Sequence, residues 1–532
     1  MKKLSQRFPH TCRLLGDERL ALRTCDTEQE SGPWPEPGIF SVASSDAYPE
    51  PFFGDLSAVE SAYDAVRQRT HDLRAPEHGA VINPLLDIVA VRYDVTPFFM
   101  EERHDAIKDI PVIEQEGWIV VWKGPVSGRI YVEYADQQML LVLKLLADGE
   151  DALALKGKEL LTYLDALDHA ARKGIILKAH SLIARDIERP PDDKALSGRF
   201  LKASVFTLQW HLTNRCDLHC RHCYDRDQLS PLTLEHARAI LDDFASFCHE
   251  KNVRGHICFS GGNPFLYPHF FALYAEAVDR GFATSVLGNV VSGAELERLT
   301  ALIKPDFYQV SLEGLEPHND FMRGEGYYRR VLAFLDLLRE HGIYSVVMLT
   351  LTGSNIDQVI PLAREVSGRA DYFTFNRLAQ VGEGSDLSLP DKDRYREFLA
   401  TYLDLADLTP GIGIKDNLFN ILRKERDEPY NGGCTGFGCG AAFNFFALLP
   451  DGSVHACRKF PSPVGVVPQS RLSELYDSMA AKRYRRGPES CQDCSLAPVC
   501  KGCMAVVHGM GLDVFHERDP FCFFRSEGRG TT

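Results

Sequence analysis

The sequence predicts an α/β protein whose centre is a parallel sheet, preceded by a smaller α+β region and followed by a cysteine-rich segment. Between residues 205 and 406, short apolar runs alternate six times with stretches of helical period. Serial strand-helix units of this kind imply parallel strands joined by right-handed crossovers. Before residue 185 the order is instead two strands and then three helical patterns, and after residue 430 come eight of the fifteen cysteines.

A chain of 532 residues exceeds what one hydrophobic core supports and predicts about two to four domains. Residues 1–114 carry no pattern that names a fold; 31–54, rich in Pro, Gly and Ser, read as irregular, and 56–67 carry a helical apolar stripe. Residues 117–122 and 129–134 alternate as strands around the turn-like Gly124-Pro125-Val126-Ser127-Gly128. Helical patterns at 136–146, 155–163 and 164–173 follow, closed by Gly174 and an apolar 175–177. These elements define a domain over 115–184. Residues 185–200, with Pro190-Pro191-Asp192-Asp193, read as a linker.

The sheet domain then spans 201–410. Its strands are predicted at 205–213, 256–260, 282–287, 306–312, 344–351 and 372–377, and its helices near 233–250, 265–280, 293–303, 327–341, 355–367 and 391–406. Residues 411–532 form the cysteine-rich domain.

The net charge of −15 argues against a nucleic-acid partner, because phosphate backbones are held by clustered Lys and Arg. No apolar run approaches the ~20 residues that span a bilayer, so no membrane partner is expected. Residues 4–16 are broken by Gln6, Arg7, Pro9, His10 and Arg13 and provide no apolar signal core, which predicts a cytoplasmic protein. Thiols stay reduced there, so the cysteines read as metal ligands rather than a disulfide framework. Cys248 and Cys258, on helical and strand patterns, read as small buried hydrophobes, and Cys12 and Cys25 are left without a role.

The most specific signal is Cys216-Asp217-Leu218-His219-Cys220-Arg221-His222-Cys223, directly after a predicted strand. Soft thiolates at this spacing suit iron–sulfur or zinc, and three of them leave one coordination position open. With the aromatic His222 before its last cysteine, the run resembles the motif of the radical S-adenosylmethionine (radical SAM) enzymes. The resemblance implies a partial (β/α)6 TIM-like barrel with its ligands at the carboxyl ends of the strands. It also implies a [4Fe-4S] cluster on Cys216, Cys220 and Cys223 whose fourth iron is chelated by S-adenosylmethionine. Reductive cleavage then yields a 5'-deoxyadenosyl radical that abstracts a substrate hydrogen, with the electron coming from a donor such as flavodoxin or ferredoxin. A zinc knuckle is the structural alternative.

Ser260-Gly261-Gly262-Asn263-Pro264 resembles the family's Gly-Gly-Glu-Pro motif. The resemblance assigns Gly261, Gly262 and Asn263 to the methionyl ammonium, although Asn263 replaces the usual Glu and offers an acceptor without charge. The run from Ser311 to Gly324 is similar to a Ser-x-Asp-Gly…Arg-Gly stretch of peptide-acting members, which assigns Ser311 and Arg323 to the carboxylate of S-adenosylmethionine; Glu313 stands where Asp is usual. Asn289, and Asn376-Arg377, are candidates for ribose or adenine contacts.

At the carboxyl end, the segments around Cys457 and Cys491–Cys503 resemble the SPASM domain of peptide-maturing radical enzymes. The family's crossed connectivity implies one auxiliary [4Fe-4S] cluster on Cys434, Cys439, Cys457 and Cys503 and a second on Cys491, Cys494, Cys500 and Cys522, three clusters in all. The gap between Cys500 and Cys503 is one residue shorter than is common, which leaves the partition open, and a zinc ribbon is the alternative for this block alone. Arg458 stands where sulfatase-maturing relatives carry an Asp base, which argues against formylglycine chemistry. No catalytic base is named by the sequence.

Residues 115–184 are similar in outline to the PqqD-like winged-helix domains that bind leader peptides by strand addition. Together these features resemble a radical SAM/SPASM peptide maturase, and Ser260–Pro264 with the long N-terminal region resembles the thio(seleno)oxazole maturases within that group. The expected partner is a precursor peptide with a leader. The competing functions are a radical SAM enzyme of a small molecule and a noncatalytic iron–sulfur or zinc scaffold.

Overall fold

The structure is a computed structural model that describes residues 48–99, 112–149, 155–185, 198–227 and 229–525, with the single positions 10, 14 and 110. It divides into two compact units, Met1–Leu155 with Thr162–His180, and Lys156–Leu161 with Ser181–Thr532. Cys12, Cys25 and most of the 185–200 linker lie outside the described residues.

In the first unit, helix α1 (Glu50–Gln68) opens with Pro51 in its first turn, where the missing N–H costs no helical bond. It therefore begins inside the segment that reads as irregular. The strand β1 (Ala80–Ile82) pairs antiparallel with β5 (Ile176–Lys178). Strands β2 (Leu86–Asp94), β3 (Ile113–Lys123) and β4 (Ile130–Tyr134) form an antiparallel sheet in that order. The sheet thus draws on residues upstream of 115. One face buries Val91, Tyr93, Ile119 and Val121 against Phe52, Phe53, Leu56 and Val59. On β3 the alternate residue Trp122 is also buried; its ring stacks on Tyr131 at 5.3 Å and its Nε1 donates to Lys173 O at 2.9 Å.

Helix α2 (Gln137–Asp148) is capped by Asp136, which accepts from Met139 N, and stops at Gly149 in the left-handed region. Helix α3 (Gly157–Lys173) is continuous, where the sequence suggests two helices. Leu160, Tyr163, Ala166 and Ala170 are all buried, so one apolar face runs through the supposed junction.

In the second unit, strands β6 (Val205–His211), β7 (Arg254–Ser260), β8 (Ala283–Leu287), β9 (Tyr308–Ser311), β10 (Ser345–Leu351) and β11 (Tyr372–Arg377) are parallel neighbours in chain order. Helices α4 (Leu234–Glu250), α5 (Phe270–Asp279), α6 (Gly293–Leu302), α8 (Tyr327–Glu340) and α9 (Ile356–Val366) connect them, and α10 (Lys392–Leu408) follows β11. A further helix, α7 (Glu316–Arg323), lies between β9 and α8. The near-continuous burial along β10 is what covering both faces of a parallel sheet imposes.

The sheet does not close between β6 and β11, as a partial barrel requires. Beyond β6 it continues into β12 (Phe445–Leu448), β13 (Ser453–His455) and β14 (Pro463–Val466), giving nine strands in the order β11-β10-β9-β8-β7-β6-β12-β13-β14. Strand β12 joins β6 in parallel, and Phe206 of β6 meets Phe247, Phe446 and Tyr476 at ring distances of 4.6, 5.5 and 5.8 Å. This aromatic cluster fixes the cysteine-rich segment against the sheet. The carboxyl ends of the six parallel strands, His211, Ser260, Leu287, Ser311, Leu351 and Arg377, are the end at which such sheets hold ligands. No helix among the described residues is long and apolar enough to cross a membrane.

Inside the sheet, His256 lies between Thr207 Oγ1 at 3.1 Å and Ser285 Oγ at 2.9 Å. Burial, and then Arg254, lower its pKa to about 4, so the folded ring is neutral at neutral pH. An unfolded histidine takes up its proton near 6.5, so between about pH 4 and 6.5 the unfolded chain binds more protons and stability falls as pH falls. Urea midpoints of His256→Gln measured from pH 7 to pH 4 should therefore show a shallower acid loss than those of the wild type.

Candidate functional site

The three-cysteine run lies in the loop that leaves β6. Cys216, Cys220 and Cys223 are partly buried and none forms a disulfide. Cys216 Sγ accepts from Leu218 N and Asn289 Nδ2, both at 3.4 Å, and Cys220 Sγ accepts from Arg323 Nη1 at 3.6 Å. Cys223 Sγ lies 3.3 Å from Asp225 O. The Arg323 guanidinium favours the thiolate of Cys220, but burial outweighs it and raises that pKa.

The Gly-Gly-Asn-Pro turn after β7 docks this loop. Gly262 N donates to Thr213 O at 2.7 Å and Asn263 N to Arg215 O at 2.8 Å. A Cβ at Gly261 would stand 2.3 Å from Thr213 O, and one at Gly262 2.3 Å from Arg215 O, while Gly261 has φ +135°. Only glycine allows this approach of backbone to backbone. Asn263 Nδ2, at 3.0 Å, and Asn289 Nδ2, at 2.6 Å, both donate to Asp217 Oδ1 inside the cysteine run. In this structure the residues assigned to S-adenosylmethionine by resemblance thus also tie down the cysteine loop.

Arg323 ends α7 and turns back toward the loop. Its Nε and Nη2 donate to Glu313 Oε1 at 3.0 and 2.5 Å, and Nη2 lies 3.5 Å from His222 Nε2. Glu313 also accepts from Thr350 N at 2.7 Å and faces His222 Nε2 at 3.2 Å. Burial pushes the Glu313 carboxyl up, but His222 and Arg323 pull it further down, to about 2. The Glu at position 313 is therefore a buried anion that holds Arg323 against Cys220. Ser311, half-buried at the end of β9, faces Met348 in the adjoining strand. Arg377 is taken up elsewhere, donating to Asp416 Oδ2 and Asp519 Oδ2, both at 2.6 Å.

The eight C-terminal cysteines separate into two groups. Cys439 interacts electrostatically with Cys503 and Cys434, and Cys457 with Cys503, Cys434 and Cys439. Cys491 senses Cys494 and Cys522, and Cys500 senses Cys522 and Cys494. Burial first, then neighbouring thiols, push Cys439 and Cys491 up to about 11 and raise Cys457 and Cys500 as well. Closely grouped buried thiols of this kind ionise when a metal takes the place of the proton.

Positive charge accompanies them. Arg185 stacks 3.9 Å over Phe443 and donates to Cys439 O at 2.7 Å, while its Nε and Nη1 are buried without a partner. Lys415 is buried beside Cys434 and Cys457, with its pKa lowered by that burial. Buried cations facing sulfur fit an anionic iron–sulfur cluster. Among the described residues no three His, Cys, Asp or Glu groups converge as ligands of a single metal ion do.

Comparison with known proteins agrees with this geometry. Residues 210–366 match the radical SAM superfamily, and residues 439–504 match the SPASM iron–sulfur cluster-binding domain. The chain thus carries a radical SAM domain followed by a SPASM domain. Such domains hold [4Fe-4S] clusters and S-adenosylmethionine, and both cysteine regions described above lie in or around the matched segments.

The radical SAM chain is 29% identical to the pre-heme d1 synthase of Dinoroseobacter shibae over 367 residues, covering 60% of this chain and 87% of that protein. It is 24% identical to the subtilosin biosynthesis protein AlbA of Bacillus subtilis over 341 residues, covering 60% of this chain and 71% of that one. The structure of Streptococcus suis SuiB bound to S-adenosylmethionine superposes with a TM-score of 0.49 at 17% identity, covering 77% of this chain and 97% of that one.

Three functional contacts are absent from the sequence reading: Asp217 as the anchor of both asparagines, Glu313 as the counterion of Arg323, and Ser260 as the partner of Arg458. Asp217 and Glu313 are visible in their motifs as charged residues, but which groups they meet depends on three separate strand ends. Glu313→Gln leaves the Arg323 charge buried without its anion and should cost about 3–5 kcal/mol of stability, measured by denaturant unfolding of the cluster-free protein.

Proposed function

We propose that this radical SAM enzyme is a peptide maturase that binds the leader of a ribosomally made precursor in its first unit and removes hydrogen from the core peptide at the carboxyl ends of β6–β11. The observation that carries the reading is the first unit itself. It has its own core, and β4 at the end of its antiparallel sheet pairs only with β3 among the described residues. An edge of this kind accepts a further strand by main-chain hydrogen bonds, and the exposed Trp118 and Tyr131 supply apolar side-chain contacts. Residues 115–184, extended upstream by β2, are the leader-binding domain in this reading.

Cys216, Cys220 and Cys223 would hold the cluster that binds S-adenosylmethionine. The two C-terminal cysteine groups hold two further clusters, three in all. Bound there, the cluster and S-adenosylmethionine supply a 5'-deoxyadenosyl radical, with the electron delivered by a flavodoxin- or ferredoxin-type donor in the cytoplasm. The chain's own residues place these groups: Gly261, Gly262, Asn263 and Asn289 position the cysteine loop, and Ser311 and Arg323 lie at the end of the barrel where S-adenosylmethionine binds.

A second reading, a small-molecule substrate, draws on the similarity to the pre-heme d1 synthase. That protein is matched over 87% of its length by 60% of this chain, so much of this chain has no counterpart in the match. The separately folded first unit favours the peptide.

Anaerobically reconstituted enzyme supplied with candidate precursor peptides should yield 5'-deoxyadenosine, which takes one hydrogen atom, and a peptide lighter by two hydrogens in mass spectra, the second leaving as a proton and an electron that an auxiliary cluster would accept. Removing the leader should weaken turnover by roughly two orders of magnitude, the scale of a lost strand-addition contact. Equal turnover of leaderless peptide would sink the leader-binding role. Cys216→Ala, Cys220→Ala or Cys223→Ala should each abolish 5'-deoxyadenosine formation.

A further inference from the structure

Two guanidiniums in the second unit are paired with buried carboxylates. Arg323 meets Glu313, and Arg377 meets Asp416 and Asp519. Arg458 differs. It follows Cys457 immediately, donates through Nη1 to Ser260 Oγ at 2.8 Å, and lies with its guanidinium carbon 4.7 Å from the centre of the Tyr224 ring. No carboxylate pairs with it among the described residues. The Tyr224 face fixes the guanidinium plane, and one of its nitrogens is spent on Ser260.

Tyr224 also adjoins a second residue, His211, whose ring centre lies 6.4 Å from its own and which is short of partners. His211 is the last residue of β6 and its side chain is 1% exposed. Both ring nitrogens are buried without a hydrogen bond. Asp225 Oδ2 lies 3.6 Å from Nδ1, beyond hydrogen-bond reach, and Asp225 Oδ1 already accepts from Asn214 Nδ2 at 2.8 Å. Burial, and then Arg458, lower the His211 pKa to about 4, so the ring is neutral and carries one N–H donor and one acceptor. Buried polar groups such as the His211 ring are rarely left unpaired.

Both residues stand at the carboxyl ends of β6 and β7, beside the cysteine loop. We propose that Arg458 and His211 form a carboxylate-binding subsite that anchors an acidic group of the substrate. The remaining guanidinium donors present the fork that a carboxylate matches with two oxygens, and the neutral imidazole adds one donor without repelling the cation. A neutral amide fills the same volume without supplying the charge. The position beside the radical SAM motif rests on the enzyme class alone. That the carboxylate belongs to a peptide rests on the function proposed above, a free dicarboxylic acid being the other source of the same chemistry.

The test uses full-length enzyme, reconstituted anaerobically and saturated with S-adenosylmethionine, treated with the arginine reagent phenylglyoxal. Labelling of Arg458 is followed by peptide mass spectrometry, with the exposed Arg394 as internal reference. Three probes are compared: N-acetylglutamate N-methylamide as a peptide carboxylate, glutarate as a free acid, and N-acetylglutamine N-methylamide as the neutral isostere. The peptide carboxylate should slow Arg458 labelling by about tenfold at saturation, the scale of one charge-assisted pair, with no effect from the amide and no change at Arg394. Protection by glutarate alone would uphold the subsite and count against the peptide substrate. Absence of protection by both acids, equal protection by the amide, or failure of the reagent to reach Arg458 would overturn the proposal.

Discussion

Burying sulfur that must carry negative charge is the constraint on which the second unit depends. Eleven cysteines gather at one end of the sheet and beyond it. A thiolate removed from water needs either a metal or a cation near it, and this protein arranges for both. Arg323 stands over Cys220, Arg185 over Cys439 and Lys415 beside Cys434 and Cys457. The cations in turn are costly to bury, which explains their second partners. Glu313 holds Arg323, and Asp416 with Asp519 holds Arg377, while Asp519 also accepts from the amide of Cys503. Buried ion pairs of this sort add little net stability, but each fixes a geometry that an apolar core would leave free.

The cysteine loop itself has little core of its own. Its order comes from outside, through backbone bonds to the Gly-Gly turn and through Asp217, on which two asparagines from separate strand ends converge. Asn263 is informative here. As a neutral amide it donates to Asp217, which the carboxylate of a Glu at the same position does not do. The exchange of Glu for Asn in this motif and the presence of Asp inside the cysteine run are therefore two halves of one local solution.

The alternation of strand and helix made the parallel sheet legible almost residue by residue, because each strand is a short apolar run and each helix carries a clear stripe. Helix α7 escaped notice, since Glu316–Arg323 is short, opens on Glu316-Pro317 and has only Phe321 and Met322 as large apolar residues. In the first unit β2 was hidden by its mixed burial, with Arg92 breaking the apolar run. Motif spacing revealed the cysteines, but not the partners of Glu313, Asp217 or Arg458, which meet across long stretches of chain. Spacing along a sequence reports local chemistry, whereas those contacts depend on the order of strands in the sheet.

The pairing of β12 with β6 has a mechanical meaning. Strand β12 continues the ladder in the same parallel sense, so a hinge between the barrel and the cysteine-rich segment would have to tear main-chain hydrogen bonds and part Phe206 from Phe446. The spacing between β6, which leads into the three-cysteine loop, and β12, which lies between Cys439 and Cys457, is then set by the sheet ladder itself. Any gating between these two strands falls to loops and side chains.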